Sequence, residues 1–243
     1  MKKIIFLIIL INSHYFYSQE DNSLIGNTIR ELGIDTHSIK LTQAKENPSN
    51  KDETIIVIAE RVEEISISSY TVNSYIIIVN TKTGKIIQQY FEDYKENGWH
   101  IDSEELQKIK IDTAPYLLTE NTRAFGVRLE YVGSSKPNPY KTTLSLYVRN
   151  PNTLKKVLSN YVVEETDGQW DPEDVQFNCS TDYVDKRVIL IMKNSKTNGY
   201  FDILAKNKIS TETYYTNENN ECTYQENSEL KYNVLKYTDG EYK

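Results

Sequence analysis

The chain has 243 residues, with 28 lysines and arginines against 35 aspartates and glutamates, for a formal charge of −7. An acidic balance with no basic cluster repels a phosphate backbone and argues against nucleic acid as a partner. The two cysteines and three histidines show no CxxC or HExxH spacing, and no GxSxG elbow or Gly-rich phosphate loop occurs, so neither a metal nor a nucleotide cofactor is expected.

At the start, Lys2 and Lys3 precede an unbroken apolar run from Ile4 to Ile11, and residues 1–18 read as a secretory signal peptide ending at Ser18-Gln19. The run is far shorter than the roughly 20 residues that span a bilayer, so no stable membrane insertion is expected. The chain is therefore read as exported, periplasmic or secreted. Without residues 1–18 the balance is 26 basic against 35 acidic side chains, or −9. That charge suits steering toward a cationic protein partner, and it also keeps an exported domain soluble.

Residues 19–53 form a polar lead-in with one short helix. Leu24, Ile25, Ile29 and Leu32 share a helical face, Ser23 is placed to cap the start and Gly33 to end it. His37 reads as solvated, and "AKENPSNKDE" (44–53) as a flexible connection. From Thr54 the texture becomes strand. "TIIVIAERV" (54–62), "SYIIIVN" (74–80) and "RVILIM" (187–192) are short β-branched runs. In "AFGVRLEYV" (124–132), Phe125, Val127, Leu129 and Tyr131 alternate with Arg128 and Glu130, which are expected to face solvent. Nineteen tyrosines suit sheets with partly wet faces.

Residues 54–243 are read as one β-rich domain with a weak repeat. Four hairpins, 75–92, 144–164, 200–215 and 233–243, turn at Gly84, Asn150-Pro151-Asn152, Asn207 and Asp239-Gly240. The first three each follow a further strand, so the fold expected is all-β and antiparallel, in repeated strand-plus-hairpin units that are propeller-like. The alternative is a β-sandwich or open meander. "DSEEL" (102–106) reads as one short helical turn capped by Asp102.

Candidate chemistry is sparse. His100, between Trp99 and Asp102, lacks an accompanying nucleophile motif, so no catalytic residue is assigned. The densest polar loop is 164–177, where Glu164, Glu165, Asp167, Asp171, Glu173 and Asp174 surround Gly168 and Trp170. Its spacing does not match a known calcium loop, so a solvated acidic turn is the simpler reading. Trp170, Asp171 and Glu173 are taken as partner-binding candidates, as are Lys136 and Tyr140 of the loop 131–143. Cys179 and Cys222 are an even pair in an oxidising compartment, which suggests a disulfide between two loops.

"DETIIVIAE", "SYIIIVNTKTGKI", "IDTAPYLLTENTRAFGVRLEYVGSSKPNPY", "SLYVRN" with "LKKVL", "GQWD" and "KTNGYFDI" together resemble a widespread family of exported, functionally uncharacterised bacterial proteins. A looser similarity to propeller-like exported proteins rests on the hairpin rhythm. The family resemblance implies export, a cysteine pair and a β-rich domain, and supplies no substrate. Where family members carry GEWD followed by NCAGEF, this chain has "GQWDPEDVQFNCSTDY". The function expected is a non-enzymatic binding protein, such as an inhibitor or immunity partner of a cationic enzyme. A carbohydrate-active hydrolase using carboxylates of the 164–174 loop is the second reading, and a structural envelope protein without a discrete ligand the third.

Overall fold

A computed structural model describes residues 23–66, 69–100, 104–133, 139–169, 179 and 182–243. It opens with helix α1, Leu24–Leu32. The Ser23 hydroxyl accepts from the Gly26 N–H, satisfying one orphan donor of the first turn. Gly33 sits at φ 68°, and the N–H groups of Gly33 and Ile34 close onto the carbonyls of Arg30 and Ile29.

After a single 3-10 turn, Thr36–Ser38, the strands β1 (Ile39–Glu46), β2 (Glu53–Ser66), β3 (Ser69–Asn80) and β4 (Ile86–Glu92) form a four-stranded antiparallel sheet in chain order. Next come β5 (Glu104–Leu117), β6 (Arg123–Gly133), β7 (Tyr140–Arg149) and β8 (Leu154–Gln169). They continue into β9 (Asp182–Thr197), β10 (Tyr200–Thr216) and β11 (Cys222–Leu235), and all seven make one sheet, again in chain order. The two-residue strands β12 (Tyr237–Thr238) and β13 (Glu241–Tyr242) end the chain.

Short turns set this up-and-down order. Asn198 and Gly199 both have positive φ, as do Asp239 and Gly240, the conformation that joins two strands whose twist must match. At the β3–β4 turn the Asn80 side chain accepts from the N–H groups of Lys82 and Thr83, and Gly84 takes φ 74°.

The two sheets pack face to face over β1–β4 and β5–β8. Ile55, Val57, Ala59, Val72, Ile76 and Ile78 meet Leu106, Ile109, Ile111, Val127, Leu129 and Tyr131 across the interface. On the other face of β2 and β3, Ile56, Ile58, Ile77 and Val79 pack against Ile29 and Ile34 of the α1 segment. Both faces of β2 and β3 are thus covered. This is why the sequence there is an unbroken apolar run rather than an alternating one. Ion pairs tie the layers at their rims: Lys156 Nζ lies 2.6 Å from Glu92 Oε2, and Arg149 reaches Glu53 at 2.9 Å.

A second core joins Leu144, Leu146, Val148, Val157 and Leu158 to Val188, Ile203, Ala205, Leu235, Tyr237 and Tyr242. It forms because β9 pairs with β8 only through Asp182–Arg187, after which β9 continues with β10 alone. The Phe201 N–H then bonds the Leu118 carbonyl, linking the start of β10 to the end of β5.

The all-β expectation and the N-terminal helix hold, whereas the finer readings change in five places. The hairpins are not separate three-stranded blades, since β5–β11 share one sheet. Asn207 is not a turn but a buried residue within β10, its amide donating to the carbonyls of Ala205 and Lys231. The 44–53 segment begins inside β1, and Glu104 and Glu105 open strand β5 rather than a helical turn. Arg128 is not turned freely to solvent; it is held by Asp112. Each of these depends on pairing with a neighbouring strand, beyond the few residues over which local pattern acts.

Candidate functional site

Strand register places a small grid of polar and apolar side chains on one face of β8, β9 and β10. Lys186 lies opposite Glu165 on β8 and Ile209 on β10, while Val184 lies opposite Asp167 and Thr211. Asp182 begins the next row. Side chains opposite one another in antiparallel strands point the same way, so these residues share one surface. They line an open cleft of about 480 Å³. Three carboxylates, Glu165, Asp167 and Asp182, face one ammonium, Lys186, above an apolar floor of Val184 and Ile209.

The surroundings hold the first carboxylate in place. Lys141 on β7 lies 3.7 Å from Glu165 and 3.0 Å from Glu104. The Asp167 carboxylate accepts from the Gly168 N–H at 2.8 Å, and on the opposite face Thr166 donates to Asp185. Asp167 and Asp182 are exposed, so a cationic group entering the cleft can reach them from solvent. The arrangement suits a basic side chain, with its aliphatic stem over Val184 and Ile209 and its charge against the carboxylates. Among the described residues no group of three His, Cys, Asp or Glu is placed to hold a metal ion.

Of the residues picked out from sequence, Trp170, Asp171, Glu173, Asp174 and Lys136 lie outside the described residues. Glu164, Glu165 and Asp167 belong to β8 rather than to a loop. Tyr140 opens β7, is half-buried and accepts from the Thr142 hydroxyl. Cys179 and Cys222 are near one another but not at disulfide distance. Thr216, the cross-strand neighbour of Cys222, donates to the Cys179 sulfur at 3.2 Å.

Trp99 is buried in the sandwich core, its N–H bonded to Asn97, and thereby serves packing. His37 is exposed beside Asp35, whose carboxyl is lowered by the His37 backbone N–H and ring. Sequence reasoning missed Asp182, Val184, Lys186, Ile209 and Thr211 as site residues. Their alternation within "DYVDKRV" and "KISTETYY" is a signal for one strand face, but only pairing brings the two faces together.

A second cluster of titratable groups lies elsewhere, at a bulge of β5. Burial would raise the Asp112 pKa, but the Ala114 N–H, the Arg128 guanidinium and the Tyr116 hydroxyl bind the carboxylate and hold it below its usual value. Tyr116 is pushed up to about 12 by burial and then by the Asp112 charge. With every polar atom of the carboxylate engaged by its own chain, this cluster reads as a structural tie. No protein-family model, curated protein or solved structure matches the chain.

Proposed function

We propose that the chain is an exported, non-enzymatic binding protein that receives a cationic segment of a protein partner in the β8–β10 cleft, as an inhibitor or immunity partner of a cationic enzyme would. The observation that carries this reading is the cleft itself: three carboxylates against one lysine, over an apolar floor, in a chain of net negative charge. Acidic side chains around such a floor raise the encounter rate with a basic partner, and the apolar contact retains it. The Cys179–Cys222 pair closes, in this reading, into a disulfide during export, fixing the end of the acidic segment to the β10–β11 hairpin.

The test uses an immobilised chain and two probes, a lysozyme-type cationic enzyme and a Lys/Arg-rich peptide. Association should slow as salt rises from 20 to 300 mM, because the Debye length shrinks to well under 10 Å. Asp167→Asn/Asp182→Asn should slow association at low salt while leaving thermal unfolding unchanged, since both side chains are exposed. Absence of binding to either probe, or rates indifferent to salt and to the double substitution, would defeat the reading. Release of sugars from peptidoglycan or glycans by the wild type, lost in the same variant, would favour a carbohydrate-active hydrolase instead.

A further inference from the structure

We infer that β11 is an interface through which two copies of this chain pair edge to edge, continuing the seven-stranded sheet across a two-fold axis normal to it. Strand β11 ends the sheet order, and its residues 222–234 are half-buried or exposed, nearly all exposed. It pairs with β10 over fourteen consecutive residues without a register shift, and it contains no proline and no bulge. Neither proline nor bulge interrupts the edge, so its outward N–H and carbonyl groups form a template for another strand, and the charges of Glu226, Glu229 and Lys231 limit which strand can pair there.

The charges on this edge select both the occupant and the register. Antiparallel pairing of two identical strands about such an axis sets residue i opposite residue j with i + j constant and even, because opposed side chains share a face. Centring the axis on Leu230 places Glu229 of each copy opposite Lys231 of the other, two opposite-charge pairs for one interface. Shifting the centre by one residue stacks Glu229 on Glu229, and shifting it the other way stacks Lys231 on Lys231. Within one chain these two side chains already bridge at 2.6 Å, so they lie on the same face and need only exchange partners.

The outer face of β9–β11 is a poorer seat for a second copy. Ile189, Ile191, Leu230, Tyr232 and Val234 are exposed there, but Lys206 stands between Ile189 and Tyr232, and Lys208 between Arg187 and Leu230. Face-to-face packing would set these cations against their own images. Edge pairing leaves them apart and brings the two Leu230 side chains into contact at the axis. It also preserves sheet faces, so both β8–β10 clefts open on the same side of the dimer.

Sedimentation velocity of the exported chain from 1 to 200 μM tests this, with circular dichroism and thermal unfolding checking that each variant is folded. The wild type should pass from monomer to dimer with concentration. Lys231→Glu turns two attractive pairs into two repulsive ones and should weaken association about tenfold or more. The exchange Glu229→Lys/Lys231→Glu should restore it.

In a Cys179→Ser/Cys222→Ser background, Leu230→Cys should oxidise to a covalent dimer. Ser228→Cys mixed with Tyr232→Cys should link as a heterodimer, while either alone does not. A monomer at all concentrations would overturn the inference. So would a dimer that ignores Lys231→Glu, that the charge exchange fails to restore, or that links at neither the 230 nor the 228/232 positions.

Discussion

Replacing Asp112 by asparagine keeps the size of the side chain and removes its charge, which makes it a direct test of what holds the β5 bulge. The carboxylate accepts from the Ala114 N–H at 2.9 Å, the Tyr116 hydroxyl at 2.9 Å and Arg128 Nε at 2.7 Å. Its side chain is 14% exposed and that of Arg128 29%. An amide can still accept from Ala114, but its NH₂ group then points at Arg128, which can only donate, and at Tyr116, whose hydroxyl must turn to accept. Breaking a fully buried ion pair from one side costs about 3–5 kcal/mol; the partial exposure of Arg128 lowers the expectation here to about 2–3 kcal/mol.

The pH dependence carries a sign as well. The folded pKa of Asp112 is depressed, so its stabilisation is present above the unfolded value near 3.8 and is lost as pH falls through the folded pKa. Urea unfolding at pH 7 and at a series of values down to pH 2.5 reads both effects. The gap between wild type and Asp112→Asn should be widest at neutral pH and narrow below pH 4. A double-mutant cycle with Arg128→Met should show strong coupling. A gap under about 0.5 kcal/mol at pH 7, or one that does not narrow in acid, would refute the account of this bulge as a charged tie.

Leu129, 1% exposed in the inter-sheet core, should lose about 3–5 kcal/mol on change to alanine, measured by the same denaturant curves. Arg128→Ala should cost more than an exposed strand residue would, because it leaves Asp112 without its cation; a cost within 0.5 kcal/mol of zero would contradict this. For the cysteines, the bridge of the proposed function requires that alkylation of protein produced through an oxidising compartment find both thiols blocked, and that reduction lower stability by about 4 kcal/mol or less, the chain-entropy value for the closed loop. Two alkylatable thiols in folded protein would remove the bridge from the proposed function.

Several features are determined by sequence alone. The helix α1 is encoded by its apolar face, by Ser23 before it and by Gly33 after it, all local in their action. The β-branched runs of β2, β3 and β9, the alternation of β6 and the turn at Asp239-Gly240 are likewise read from short range, because twist and φ preferences act within a few residues.

What tertiary structure decided is where those strands go. The run 55–59 is legible as strand, but that one face meets α1 and the other meets β5–β6 is settled by packing of distant layers. Strand β5, with Lys108, Lys110 and Pro115 interrupting its apolar positions, takes its conformation from β6 beside it and the sandwich beneath it. Asn207 reads as a turn residue yet lies buried in β10, because its amide finds two carbonyl partners there. The cleft follows the same rule: Glu165, Lys186 and Ile209 are scattered over 45 residues, and only the register of three antiparallel strands sets them in one row.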